Sequence, residues 1–363
     1  MARTRRPTMA DVAAKAKVSL STVSLAYSGA GPISPEMKAK VVRAADEPGL
    51  HRSVRPGAGV ALGPFRGHRR GDPRLAHARL PRPLILNVMD GLISDLGEMG
   101  LGALLIPAPR GDEGETSLLE SAPMDAAVVL RVRDHDDPAL AILRKRGLPV
   151  VVMDAEPPAG GGQVTIDDTS ATVELIEHLV SLGHERIGTI TLPHAPGLET
   201  SLRPADYWPE TSWAPMHHRL EAFRLAGVRP CVVVESRESM VAEGIAAGHL
   251  ALAHESQPTA LVVQSDLLAA GVVLAARELD LSVPGDVSIT GFDGLDLPWL
   301  APLELTTVYQ DGVEKGHALA KAVKDLLAGE EPASVLTPLE PTHRHLDGPG
   351  EARGAEPRAN ARG

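Results

Sequence analysis

Hydrophobic positions separate a short helical start from a long alternating body. In TMADVAAKAKVSLSTVSLAYSG, from Thr8 to Gly29, small apolar residues recur at helical spacing. Thr8 can cap a first helix and Ser19 a second, in which Val23 turns inward. A third helix is predicted over SPEMKAKVVRAADE, residues 34–47, because a serine, a proline and an acidic residue open it. These patterns predict a small three-helix bundle over residues 1–50.

The body shows strands alternating with amphipathic helices. The predicted strands after residue 83 are ALLIPA, AAVVLRV, PVVVMD, QVTIDD, RIGTITL, CVVVES, TALVVQS and VSITGFD. Continuous apolar strands joined by helices form parallel sheets that are covered on both faces. The pattern therefore predicts an α/β fold with two doubly wound domains over residues 84–350, followed by a disordered tail at 351–363.

Residues 51–83 interrupt both patterns. Of these residues, 8 are Arg, 5 Gly, 5 Pro and 3 His, and no helical or strand period is visible. The segment GAGVALG, residues 57–63, superficially resembles a dinucleotide-binding glycine loop, but no strand is predicted before it and no helix after it. We therefore predict an atypical, disordered or poorly packed linker.

Charge is divided unevenly along the chain. Residues 1–83 carry 16 Lys and Arg against 5 Asp and Glu, a net of +11, whereas the whole chain has −11, which leaves −22 for the rest. A basic head on an acidic body suggests that the head meets a polyanion, although surface charge also varies by chance.

Several classes of protein are disfavoured by the sequence. No run of 18 apolar residues occurs and the basic N-terminus is not followed by an apolar signal segment, so we expect a cytoplasmic protein without a membrane span. The lone Cys231 excludes an internal disulfide. His217, His218 and Glu221 have helical spacing but no evident third metal ligand, so we expect neither a metal nor a cofactor.

Four motifs together resemble the LacI/GalR family. They are the helical start quoted above, VTIDDTSATVELIEHLVSLGHERIGTI, LVVQSDLLAAGVVLAARELDLSVPGDVSITGFDGLDLP and LTTVYQDGVEKG. The resemblance implies an N-terminal helix-turn-helix headpiece and a two-lobed body like a periplasmic binding protein. Lobe 1 would comprise about residues 84–163 and 311–334, and lobe 2 about 164–310 and 335–350. It also implies a homodimer that binds operator DNA and a small effector, which is expected to be a carbohydrate.

The resemblance assigns DNA contacts to the headpiece. A helix in the major groove reads base edges, while hydroxyls and cations anchor phosphates. The expected base-reading residues are Leu20, Ser21 and Leu25, and the expected phosphate-binding residues are Arg5, Arg6, Thr8, Ser19, Thr22 and Ser24. Lys17 stands where the family usually has glycine in the turn.

The largest departure from the family follows Leu50, where a tyrosine, Pro-Asn and a leucine helix that enters the minor groove are missing. Out-of-frame translation of a GC-rich gene, with the normal frame resuming near Pro83, would give this composition. The hypothesis fails if neither alternative reading frame of the gene encodes the hinge pattern.

The resemblance places an effector between the lobes. Charged and planar groups at strand and helix ends can satisfy several sugar hydroxyls at once. The expected effector-binding residues are Asp154, Trp208, Trp213, Arg219, Ser265, Asp266, Asp293 and Gln310. Two alternatives stay open: Asp266 caps the following helix, and the tryptophans belong to a loop that buries its own rings.

The sequence thus predicts an effector-controlled DNA-binding transcription regulator, most simply a repressor. The alternative is a sugar-binding sensor that has lost operator binding through its altered hinge. A Rossmann-like enzyme would need a catalytic constellation, and the sequence contains no G-x-S-x-G elbow, P-loop or H-E-x-x-H motif.

Overall fold

The computed structural model describes residues 9–19, 22, 23, 26, 33–45, 59–65, 83–107, 118–132, 137–195, 197–209 and 213–342. Its helices are α1 Met9–Ala16, α2 Pro35–Ala45, α3 Pro83–Glu98, α4 Leu118–Ser121, α5 Pro138–Lys145, α6 Asp168–Ser181, α7 Ala214–Leu225, α8 Val241–Leu252, α9 Asp266–Glu278 and α10 Gly312–Ala328. Its strands are β1 Gly59–Phe65, β2 Gly102–Pro107, β3 Ala126–Val129, β4 Val150–Met153, β5 Gly162–Thr165, β6 Ile187–Thr191, β7 Ser201–Arg203, β8 Val233–Glu235, β9 Ala260–Val263, β10 Ser288–Thr290, β11 Thr307–Gln310, β12 Ser334–Leu336 and β13 Leu339–Thr342.

The headpiece packs its small apolar residues into one cluster. The cluster includes Val12 of α1, Val41 of α2 and Val23, which lies between the two helices in sequence. Ser19 Oγ accepts a hydrogen bond from the Thr22 amide at 3.1 Å, as expected of a helix cap. Lys17 has φ 51°, so the turn between the helices does adopt the left-handed conformation that favours glycine.

Lobe 1 is built on a six-stranded parallel sheet with the order β12-β5-β4-β3-β1-β2. Helices α3 and α10 cover one face, and α4 and α5 cover the other. Every residue of β3 and β4 is buried, which explains why these strands are continuously apolar in sequence. A Cβ at Gly316 would collide with the backbone of Val88, so glycine is what lets α10 approach α3.

The prediction that residues 51–83 contain no strand is wrong. Strand β1 lies inside the sheet, paired with the edge strand β2 on one side and with β3 on the other. The pairing with β2 shifts in register between Leu62 and Phe65, next to Pro64, which has no N–H to donate. Glycine and proline are rare in strands, so the sequence of this segment does not indicate one. Pairing with β2 and β3, which lie far along the chain, makes it a strand.

Lobe 2 is built on a five-stranded sheet with the order β10-β9-β6-β8-β7, in which only β7 is antiparallel among the described strands. Helices α8 and α9 pack on one face, and α6 and α7 on the other. The chain passes between the lobes at β5 to α6, at β11 to α10 and at β12 to β13, and β11 pairs with β13. The predicted α/β fold with two parallel-sheet lobes is confirmed. None of the helices in the described ranges is long and apolar enough to cross a membrane.

Candidate effector site and headpiece

A buried ion pair joins the start of α6 to the middle of α7 in lobe 2. Arg219 Nε donates to Asp168 Oδ1 at 2.7 Å, and the two side chains are 5% and 1% exposed. Arg219 also donates to the Gln264 carbonyl at the end of β9, and its guanidinium carbon lies 3.4 Å from the centroid of the Phe292 ring. These contacts fix the guanidinium where strands β9 and β10 end.

Ionisation of Asp168 follows from this pairing. Burial alone would raise the pKa of Asp168, but the charge of Arg219, the hydrogen bond from Arg219 and the nearby His218 lower it below its usual value. The carboxylate of Asp168 in turn raises the pKa of His218, whose Nδ1 lies 3.9 Å from the second carboxylate oxygen. The site therefore holds a carboxylate and a guanidinium, both ionised, at the inner edge of lobe 2.

A chain of polar side chains crosses from lobe 1 to lobe 2. Lys315 Nζ of α10 donates to Asp154 Oδ2, just after β4, at 2.8 Å and to Gln310 Oε1 of β11 at 3.0 Å. Gln310 Nε2 then donates to Asp293 Oδ1, beyond β10, at 2.8 Å. Burial raises the pKa of Asp154, and it raises the pKa of Asp293 to about 7. The predicted residues Asp154, Gln310 and Asp293 are thus brought into one network.

Ser265 and Asp266 hold the surrounding backbone. Ser265 Oγ accepts from the Leu268 amide at 3.3 Å, so Ser265 caps α9 and the alternative that Asp266 is the cap is wrong. The Asp266 side chain points away from the first turn because it accepts from the Leu295 amide at 2.7 Å and from Thr307 Oγ1 at 2.6 Å. Burial raises the pKa of Asp266 to about 6. Asp266 therefore ties the loop after Asp293 to β11.

The two predicted tryptophans take different positions. Trp213 precedes α7, and the guanidinium of Arg131 in lobe 1 lies 3.8 Å from its ring centroid, so this contact bridges the lobes. Trp208 packs edge-on against His217 at 4.4 Å. His217 and Arg219 are two residues apart on α7. At about 100° of rotation per residue, their side chains point to nearly opposite sides of the helix. The structure brings Trp213 to the meeting of the lobes and leaves Trp208 on the other side of α7.

A second buried cluster anchors the segment that carries these rings. Glu235 is fully buried and accepts from Arg203 Nε at 2.7 Å and from the Tyr207 hydroxyl at 2.9 Å, and it contacts His194 Nδ1 at 2.6 Å. Sequence reasoning missed Glu235 along with Asp168 and Lys315. The detectable signal for Lys315 was a single charge on the otherwise apolar face of α10.

Only part of the predicted DNA-contacting set lies in the described residues. Ser19 is exposed, and its hydroxyl lies 2.8 Å from that of Thr22 in the helix cap. Residues outside the described ranges are Arg5, Arg6, Thr8, Leu20, Ser21, Ser24 and Leu25. Within the described ranges, no group of three or more His, Cys, Asp or Glu side chains is placed to hold a metal ion.

Comparisons with known proteins cover both parts of the chain. Residues 8–53 match the family described as bacterial regulatory proteins, lacI family. Residues 176–345 match the periplasmic binding protein-like domain.

Solved structures show the same fold. A CelR–cellobiose complex has a TM-score of 0.65 at 24% identity, covering 94% of this chain and all of that one. The lac repressor dimer bound to operator has a TM-score of 0.63 at 20% identity, covering 95% of this chain and all of that one. A regulator from Enterococcus faecium with bound ribose has a TM-score of 0.62 at 21% identity, covering 80% and 98%.

Curated relatives extend the similarity over nearly the full length. The repressor CytR of Escherichia coli is 27% identical over 342 residues, covering 90% of this chain and 92% of its own. An HTH-type transcriptional regulator of Mycolicibacterium smegmatis is 33% identical over 338 residues, covering 86% of this chain and 88% of its own. With a helix-turn-helix start, a two-lobed body and this extent of identity, the chain belongs to the LacI family of transcriptional regulators.

Proposed function

We propose that this regulator is a repressor whose hold on operator DNA is controlled by a carbohydrate bound between its lobes. The observation that carries the proposal is the polar network at the strand ends of both lobes, in which Asp154, Arg219 and Asp293 are fixed by buried partners. Rigidly held carboxylates and a guanidinium suit a ligand with many hydroxyl groups. The solved relatives that hold cellobiose and ribose support the same ligand class.

The effector site is tested by ligand-induced thermal stabilisation. A screen of neutral sugars should raise the melting temperature of the intact chain, and Arg219→Ala should abolish the shift. Arg224→Ala is the matched control, because Arg224 is exposed on the same helix. A full shift in Arg219→Ala would exclude this pocket, and no shift with any sugar in the intact chain would exclude the carbohydrate class.

The DNA-binding role rests on the headpiece. We assign base reading to Leu20, Ser21 and Leu25, and phosphate contacts to the hydroxyls and cations around them. A gel shift with DNA from upstream of the gene should show binding at low salt that weakens as salt rises. Arg5→Ala should weaken binding, whereas Arg277→Ala, at an exposed position of α9, should not. Absence of any shift at micromolar protein would overturn this assignment.

We further propose that the chain acts as a homodimer in the cytoplasm, where operator DNA is found. Support comes from exposed apolar side chains on α3 and on β2, the edge strand of the lobe 1 sheet: Leu86, Ile93, Leu104 and Leu105. Exposed apolar side chains at a sheet edge are where another copy of the chain can pack. Sedimentation should give a dimer for the intact chain and a monomer for Leu105→Asp, and a monomeric intact chain would refute the proposal.

A further inference from the structure

Lys315 is a buried cation on an apolar helix face. Its side chain is 1% exposed, although α10 packs this side against α3 and the lobe 1 sheet through residues such as Leu319 and Val323. Two acceptors meet the ammonium group in the described part of the chain, Asp154 Oδ2 and Gln310 Oε1. Since an ammonium group has three N–H donors, one donor is left for another acceptor.

Asp154 has an unpaired hydrogen-bond acceptor beside this unused donor. Its Oδ1 atom is buried and has no hydrogen-bond partner among the described residues. The residue has φ 49°, a conformation that L side chains rarely adopt, so the turn after β4 holds this carboxylate in place at some cost. A buried acceptor without a donor is unfavourable, and a ligand hydroxyl would satisfy it.

A purely structural role explains the pair poorly. Buried ion pairs are seldom more stabilising than apolar residues of similar size, because desolvation offsets the attraction. On the same side of α10, Leu319 and Val323 pack in the lobe 1 core as apolar residues, without that cost. A lysine and an aspartate, each with unused hydrogen-bonding capacity, point instead to recognition.

We propose that Lys315 and Asp154 form a specificity-determining pair that reads two adjacent hydroxyl groups of the effector. Asp154 Oδ1 accepts from one hydroxyl, and the free N–H of Lys315 donates to the oxygen of the next. The 2.8 Å between Nζ and Oδ2 keeps the donor and acceptor close enough to serve neighbouring ring positions. This inference rests on the proposed carbohydrate effector and names the feature of it that is recognised.

Lys315 also sets the orientation of the remaining network. Because Gln310 Oε1 accepts from Lys315, the amide nitrogen must face Asp293, and it donates there at 2.8 Å. Without the lysine, the amide could rotate by half a turn and present its oxygen to Asp293. Lys315 of lobe 1 therefore determines, through Gln310, that the Asp293 carboxylate of lobe 2 accepts a hydrogen bond from the amide nitrogen.

The experiment is isothermal titration of the intact chain with D-glucose, D-galactose, D-ribose and cellobiose, followed by single-deoxy forms of whichever sugar binds. Lys315→Met should weaken binding of the parent sugar by about tenfold or more, the value of one charge-assisted hydrogen bond. For the deoxy sugar that lacks the hydroxyl read by Lys315, Lys315→Met should weaken binding by a smaller factor than for the parent sugar, because the direct hydrogen bond is already absent. Lys321→Met, an exposed lysine on the same helix, is the matched control and should bind within about twofold of the intact chain.

A second variant removes the risk that an unpaired buried aspartate impairs folding. Lys315→Met combined with Asp154→Asn leaves no unpaired charge and should lose the preference for both adjacent hydroxyls. The inference is overturned if Lys315→Met binds the parent sugar as tightly as the intact chain does, or loses the same factor with every deoxy sugar. Failure of the intact chain to bind any of the four sugars would overturn the proposed carbohydrate class, a result distinct from the first.

Discussion

Removing Asp168 should destabilise lobe 2 strongly, because it leaves Arg219 charged and buried. The two side chains are 1% and 5% exposed, so solvent screens their attraction little. Loss of one partner from a buried ion pair costs about 3–5 kcal/mol. A guanidinium cannot lose its proton in a protein, so Asp168→Ala should fall in the upper half of that range.

Arg219→Ala, which removes the other partner, should lower the free energy of unfolding less than Asp168→Ala does, by an amount that depends on pH. In the intact chain the pKa of Asp168 is lowered, so its stabilisation is present above the ordinary pKa of 3.8 and is lost as pH falls through the folded value. In Arg219→Ala, burial is left to raise the pKa of Asp168, and the carboxyl can take up a proton. The destabilisation of Arg219→Ala should therefore shrink between about pH 7 and about pH 4.5.

Urea unfolding followed by far-UV circular dichroism at both pH values measures these effects. Arg224→Ala breaks the exposed pair with Glu221 and should change the free energy of unfolding by no more than about 1 kcal/mol. If Asp168→Ala cost as little as this control, or if the cost of Arg219→Ala were the same at both pH values, the buried-pair reasoning would be refuted.

Three further outcomes are expected. Burial raises the pKa of Asp266 to about 6, so the charged carboxylate disfavours folding at neutral pH, and this cost is relieved as pH falls through about 6. Asp266→Asn removes this group, so the free energy of unfolding should rise less on acidification in the variant than in the intact chain. Gly316→Val should lower the melting temperature, because its side chain would meet the α3 backbone, while Gly97→Ala, which has open space, should not. Glu235→Ala should remove the buried acceptor that Arg203, Tyr207 and His194 share, and should therefore lower the melting temperature of the intact chain.

Sequence patterns predicted the parts of the fold that depend on local periodicity. The apolar runs of β3, β4 and β9 are visible because both faces of each strand are buried. Strand β1 was missed because Gly, Pro and Arg surround its few apolar residues, and pairing with distant strands makes it a strand. Strand β7 was missed because it has three residues and lies at a sheet edge.

The sequence predicted polar residues of the candidate site, but not the buried residues Lys315 and Asp168 that hold them in place. The family resemblance placed Asp154 and Asp293 at the ends of apolar strands and Gln310 near the crossover between the lobes, and the structure brings the three into one network. Lys315 was missed because its partner Asp154 is 161 positions earlier in the chain. Asp168 and Arg219 are 51 positions apart, so no local spacing links them either.

The position of β1 between β2 and β3 determines how the body can be produced without the headpiece. A fragment that begins at Pro83, where the regular alternation starts, would lack the strand between β2 and β3. Strand β2 would then have no neighbour, and the inner edge of β3 would be open to pairing between molecules. An expression fragment for crystallisation or ligand screening should therefore begin upstream of Gly59, even though that retains the arginine-rich segment.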